Sequence, residues 1–116
     1  MIFDTSKEGL LTLFSPYQAT LLEHIWDINR DRRTGIESRQ AHELLRQTGD
    51  RKLMRSRASV INFLNDMVEE GVLSYEDRTK IGGHYKVYFP KMDREQFAQH
   101  VVETIITKLK EIFPIT

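Results

Sequence analysis

The residues with the clearest capacity for chemistry lie in one short run. Arg55, Ser56, Arg57, Ser59 and Asn62 stand at the predicted start of a helix. An arginine fork fits guanine O6 and N7, and an asparagine amide pairs both ways with adenine. Serine hydroxyls and free N–H groups at a helix start suit phosphate oxygens. The other candidates for chemistry are weaker. His24, His42, His84 and His100 fall on four different predicted elements, none paired at i, i+4. The chain has no cysteine, which removes thiolate metal sites, disulfides and a cysteine nucleophile together. The serines sit at helix caps and the carboxylates on helix surfaces, with no nucleophile–base pair among them. The expectation is therefore a binding protein, not an enzyme, and one without a metal or other cofactor.

Charge supports a polyanionic partner by its distribution, not its total. Lys+Arg and Asp+Glu are both 17, so the formal net charge is zero. Residues 30–57 nevertheless hold nine basic and four acidic residues, and residues 79–91 add Lys80, Lys86 and Lys91 without an acid. Residues 1–29 and 58–78 are acidic. Such polarity steers a polyanion towards one face while the remainder stays acidic.

The elements that must position these residues follow from periodicity. The chain is 116 residues, one domain's worth, with 40% hydrophobic and 29% charged residues, an ordinary globular balance. No run is long and apolar enough for a membrane span, and the first residues lack a signal-peptide pattern. A soluble, cytoplasmic protein is expected. Residues 1–14 read as a short helix or an extended arm. Ser15-Pro16 is a helix start, followed by Leu21, Leu22, Ile25, Trp26 and Ile28 at helical spacing. Residues 29–35 form a polar, basic loop carrying Arg32 and Arg33, an auxiliary backbone contact, and Ile36 a one- or two-residue strand. Ser38 is the expected cap of a second helix with Ala41, Leu44 and Leu45 inward, ended by Thr48-Gly49-Asp50. The third helix starts at Ser56 or Arg57 and turns Val60, Ile61, Leu64 and Val68 inward, with Gly71 closing it.

The period then changes from 3.6 to 2. Residues 72–78 and 84–89 are two strands joined by a five-residue loop, 79–83, and ended by Pro90. Arg78, Lys80 and Lys86 mark this hairpin as a second contact with a polyanion. Trp26 and Tyr88 are assigned to packing. Asp93 and Gln96 form a capping-box pattern for a last helix running to about Ile112, stopped by Pro114. In that helix Ala98, Val102, Ile105, Leu109 and Ile112 step by four and three, the pattern of a dimer seam, while Phe97, Val101, Ile106 and Phe113 widen the apolar stripe.

The order is helix, short strand, helix, helix, strand, strand, helix. It predicts a mainly α fold with a small β-hairpin wing: a winged helix-turn-helix domain over 15–90, an arm over 1–14 and a dimerisation helix over 91–116. Within residues 56–73, Ser56, Arg57, Val60, Ile61, Leu64, Met67, Val68, Gly71, Val72 and Leu73 resemble the recognition helix and first wing strand of the penicillinase-repressor family. So does the opening Phe14-Ser15-Pro16-Tyr17-Gln18 with Leu22, Ile25 and Trp26, and the likeness spans residues 13–89. The resemblance implies a dimeric repressor acting on double-stranded DNA. Three departures are visible: the basic 30–35 loop, the missing cysteine hook of copper-responsive members, and one long helix in place of a multi-helix dimerisation region. A more distant winged-helix regulator, of the multiple-antibiotic-resistance type or archaeal, remains open. The alternative function is a winged-helix protein–protein interaction module without DNA binding. No residue pattern names a small-molecule or protein inducer.

Overall fold

The computed structural model describes residues 1–114; the last two residues of the expected dimerisation segment, 115 and 116, lie outside the described residues. Four helices and a small three-stranded antiparallel sheet make up the fold: α1 (Pro16–Ile28), β1 (Ile36–Glu37), α2 (Ser38–Gln47), α3 (Arg57–Glu69), β2 (Leu73–Lys80), β3 (Gly83–Pro90) and α4 (Arg94–Ile112). The arm before α1 folds back on itself. Ile2 and Asp4 donate to the carbonyls of Leu13 and Thr12, and a single 3-10 turn spans Gly9–Thr12. Among the described residues no helix is long and apolar enough to cross a membrane.

Local signals set the helix ends. Pro16 opens α1 where its missing N–H costs nothing, and the Gln18 side chain accepts from the Ser15 N–H at 3.1 Å. The cap of α2 falls one residue earlier than the sequence suggested. Glu37, still extended because it pairs in β1, is the cap, its N–H donating to Gln40 Oε1 at 2.9 Å, and Ser38 is already helical. At the end of α3 the Gly71 N–H donates to Val68 O (3.0 Å) and the Val72 N–H to Met67 O (2.9 Å). This is the Schellman arrangement, and it turns on Gly71 at φ +80°. Asp93 caps α4: its carboxylate accepts from the Gln96 N–H (2.8 Å), and the Gln96 side chain accepts in return from the Asp93 N–H (2.9 Å).

The sheet order is β1-β3-β2, with Ile36 opposite Tyr88 and Leu73 opposite Pro90. The hairpin is longer and its turn tighter than the sequence suggested. The strands run on through Thr79 and Lys80 to pair Lys80 with Gly83, leaving Ile81-Gly82 as a two-residue turn in place of a five-residue loop. Gly82, the second residue of the turn, sits at φ +102°, a value that favours glycine, while Ile81 before it does not take a positive φ.

One core joins α1, α2, α3 and the inner face of the sheet. Leu21, Leu22, Ile25, Ala41, Leu45, Val60, Leu64, Val72 and Leu73 are all buried in it. Helix α3 differs in its inward set: Val60, Phe63, Leu64 and Met67 are buried, whereas Ile61 and Val68 are only half-buried. Phe63 is drawn inward because it meets Phe14 edge-on at 5.9 Å and Tyr17 at 6.0 Å. Tyr88 is buried, as expected, and its hydroxyl donates to Asn65 Oδ1 at 2.7 Å, tying the sheet to α3. Trp26 is also buried and donates from Nε1 to the Met92 carbonyl at 2.9 Å. Above it, Arg94 pairs with both oxygens of Glu23 and lies 5.4 Å from the Trp26 ring, which fixes the start of α4 against α1.

Candidate nucleic-acid interface

The first group of expected site residues comes together at the start of α3. Ser56 caps the helix, its Oγ accepting from the Ser59 N–H at 3.1 Å and lying 3.0 Å from Ser59 Oγ. Asn62 is exposed on the side of α3 opposite the buried Val60 and Leu64, whereas Arg57 lies on their side of the helix and is exposed because it opens the first turn. Neither has a hydrogen-bonded or ionic partner among the described residues. Arg55 is held differently: Nη1 donates to Met54 O at 2.7 Å, and the guanidinium lies 4.9 Å from the Tyr17 ring. Arg55 is therefore anchored on α1, while Arg57 projects into solvent.

Antiparallel register divides the hairpin residues between two faces, because successive side chains alternate. Lys86 shares a face with Tyr75 and Tyr88, the face turned to α3, and its Nζ sits 4.5 Å from the Tyr75 ring. Arg78 and Lys80 lie on the other face, with Glu76, Tyr85, Val87 and Phe89. The sequence grouped all three cations as one contact surface; the structure sets Arg78 beside Arg33 of the 30–35 loop and Lys80 against Glu37 of β1 instead.

That outer face has its own construction. Val87 and Phe89 are buried under the loop, outside the main core. The loop is held by Asn29, whose Oδ1 accepts from the N–H groups of Thr34 (2.9 Å) and Gly35 (3.2 Å), and whose Nδ2 donates to Ile25 O (2.7 Å). Gly35 has φ +72°, and a Cβ there would stand 2.5 Å from Val87 Cγ1 and 2.6 Å from Phe89 Cε1. Glycine lets the loop lie flat on the strand, and this brings Arg33 over the Phe89 ring at 3.5 Å. Arg33 donates to Glu76 Oε1 (2.7 Å) and Arg78 to Glu76 Oε2 (2.9 Å). Hydrogen bonds from Arg33 first, then from Arg78, hold the Glu76 carboxyl below its ordinary 4.5. Burial, with Tyr75 and Asp77 nearby, pushes the Tyr88 hydroxyl upward.

Two further cations are engaged and one is free. Lys80 Nζ donates to Glu37 Oε1 at 3.2 Å and lies 4.5 Å from the Tyr85 ring, and Arg30 pairs with Asp27. Arg32 is exposed and has no partner among the described residues. The residues that sequence reasoning missed are the counter-charges Glu37 and Glu76. Glu76 and Arg78 stand two apart on a strand, hence on one face, which was the one signal available. Comparison with protein-family profiles, curated proteins and solved structures finds no match to this chain.

Proposed function

We propose that the chain is a winged helix-turn-helix transcriptional regulator that binds duplex DNA in a sequence-specific manner and acts as a dimeric repressor. On this reading α2 and α3 are the helix-turn-helix pair, α3 enters the major groove with its first turns leading, and the β2–β3 hairpin is the wing. Arg57 and Asn62 read base edges, Ser56 and Ser59 meet phosphates, and Arg32 with Lys86 adds backbone contact. The observation that carries the proposal is the exposed start of α3: Arg57 and Asn62 without partners among the described residues and the hydroxyls of Ser56 and Ser59 in its first two turns, with Val60, Phe63, Leu64 and Met67 buried in the core.

The second reading is a winged-helix module that binds another protein. The neutralised outer face favours it, since Arg33, Arg78 and Lys80 are each already paired with a carboxylate of the same chain. Selection of bound sites from random duplex DNA separates the two. A repressor enriches one sequence, arranged as an inverted repeat if two copies act together. An interaction module enriches nothing.

A further inference from the structure

We infer that two copies of this chain pair through α4 in antiparallel fashion, with Glu103 of each facing Lys110 of the other. The inference rests on the dimer in the proposed function and supplies its geometry. Helix α4 spends one side on its own domain: Phe97 and Val101 are buried and Ile105 is half-buried against the same core. The expected seam therefore divides, with Ile105 turned to the domain. What stays open is Val102 (51% exposed), Ile106 (46%), Leu109 (46%) and Phe113 (60%), with Ile112 (58%) beside them. Val102, Ile106 and Leu109 step by four and three, a seam in its own right, and Phe113, the C-cap residue just past the helix, follows at four. Every residue from 106 to the helix end at Ile112, and the two that follow, is exposed, so this half of the helix has no cover from its own chain among the described residues.

Register and charge select the occupant. In an antiparallel pair that sets Val102 opposite the partner's Phe113, Ile106 falls opposite the partner's Leu109, and the whole seam is filled. The flanking position after Val102 is Glu103, and the one after Leu109 is Lys110; in this register they meet across the pair, twice by symmetry. A parallel pair would set Glu103 and Lys110 against Ala98 and Ile105 and leave both charges unmatched. The antiparallel register also lays the partner's Ile112 beside Ile105. Ile105 lines an apolar groove of about 430 Å³ with Phe3, Leu10, Leu13, Ala98 and Val101. Five large side chains from each copy, joined by the exposed Phe3, bring the buried area to the threshold of about 1,000 Å² for a specific interface.

The absence of native cysteine makes the test direct. Val102→Cys and Phe113→Cys are made separately, then mixed and oxidised. The antiparallel pair gives a cross-linked dimer from the mixture and none from Val102→Cys alone, whose two thiols lie roughly 16 Å apart along the pair, beyond disulfide reach. Sedimentation equilibrium supplies the second readout. Glu103→Lys and Lys110→Glu each weaken the dimer roughly three- to tenfold, and the double reversal restores it. Cross-linking of Val102→Cys alone, or a single-chain mass for the wild type at micromolar concentration, overturns the inference. No DNA enters either assay, so the dimer geometry and the DNA reading fail independently.

Discussion

Substituting Gly35 by alanine tests the packing of the loop that carries Arg32 and Arg33. Two costs follow from the structure. The residue sits at φ +72°, where an L side chain costs about 1–2 kcal/mol. The new methyl would also stand 2.5 Å from Val87 Cγ1 and 2.8 Å from Phe89 Cζ, atoms of a strand held on both sides, so relief requires movement of the loop. Overpacking of that kind costs about 1–3 kcal/mol. The sum, about 2–5 kcal/mol, corresponds to a fall in Tm of about 10–20 °C for a chain of this length. Gly49→Ala is the control, because Gly49 has nearly the same φ, +70°, with nothing within 4 Å of the place its methyl would occupy. It should lose only the conformational part, about 1–2 kcal/mol. Urea unfolding of both variants, with m-values compared, gives the difference. Equal losses for the two would refute the claim that Gly35 is required by contact with Val87 and Phe89.

Tyr88→Phe leaves Asn65 Oδ1 without its donor and should cost about 1 kcal/mol in urea unfolding; no loss would mean water replaces the hydroxyl freely. Glu76 carries a pH signature. Its folded-state value lies below the ordinary 4.5, so its pairing contributes above that value and is lost as pH falls through the lowered one. Glu76→Gln should flatten this part of the acid limb of stability, and an unchanged limb would show that the two guanidinium bonds are not formed in solution. The same substitution frees Arg33 and Arg78 and should tighten binding to random duplex DNA a few-fold; unchanged affinity would place this face away from DNA. Leu109→Glu puts a charge into the open seam of α4 without touching the domain core, and should halve the mass in light scattering while leaving Tm in the monomer range unchanged.

Much of the frame was legible because it is written in local chemistry. The Asp93–Gln96 pair, Ser56 and Gly71 each mark an end by a bond made within a few residues, and Pro16 marks one by the N–H it lacks. The change of period near residue 72 likewise announced the hairpin. What escaped depends on partners distant in sequence. Arg33 meets Glu76, and Lys80 meets Glu37, across 43 residues in each case, so the neutralisation of the hairpin's outer face is invisible to a count of charges along the chain. Thr79 and Lys80 are polar on a strand with both faces exposed at that point, which removes the alternation that would have extended it. In α3 the period alone admits Ile61 or Phe63, and the aromatic contacts to Phe14 and Tyr17 decide for Phe63. In α4 the stripe is wider than one seam, and the position of Trp26 and Phe14 against Phe97 decides which part turns inward.

The central claim is that the exposed start of α3 binds duplex DNA, and the most direct measurement is fluorescence anisotropy of a labelled duplex titrated with wild type and Arg57→Ala across salt concentrations. The account predicts binding whose logarithm falls linearly with the logarithm of salt, at about −0.9 per phosphate neutralised. On the selected sequence, Arg57→Ala should lose about 1–3 kcal/mol, a roughly five- to 150-fold weakening, and most of the preference over random duplex. Absence of binding at low salt, or equal binding by the two proteins on both duplexes, would contradict it.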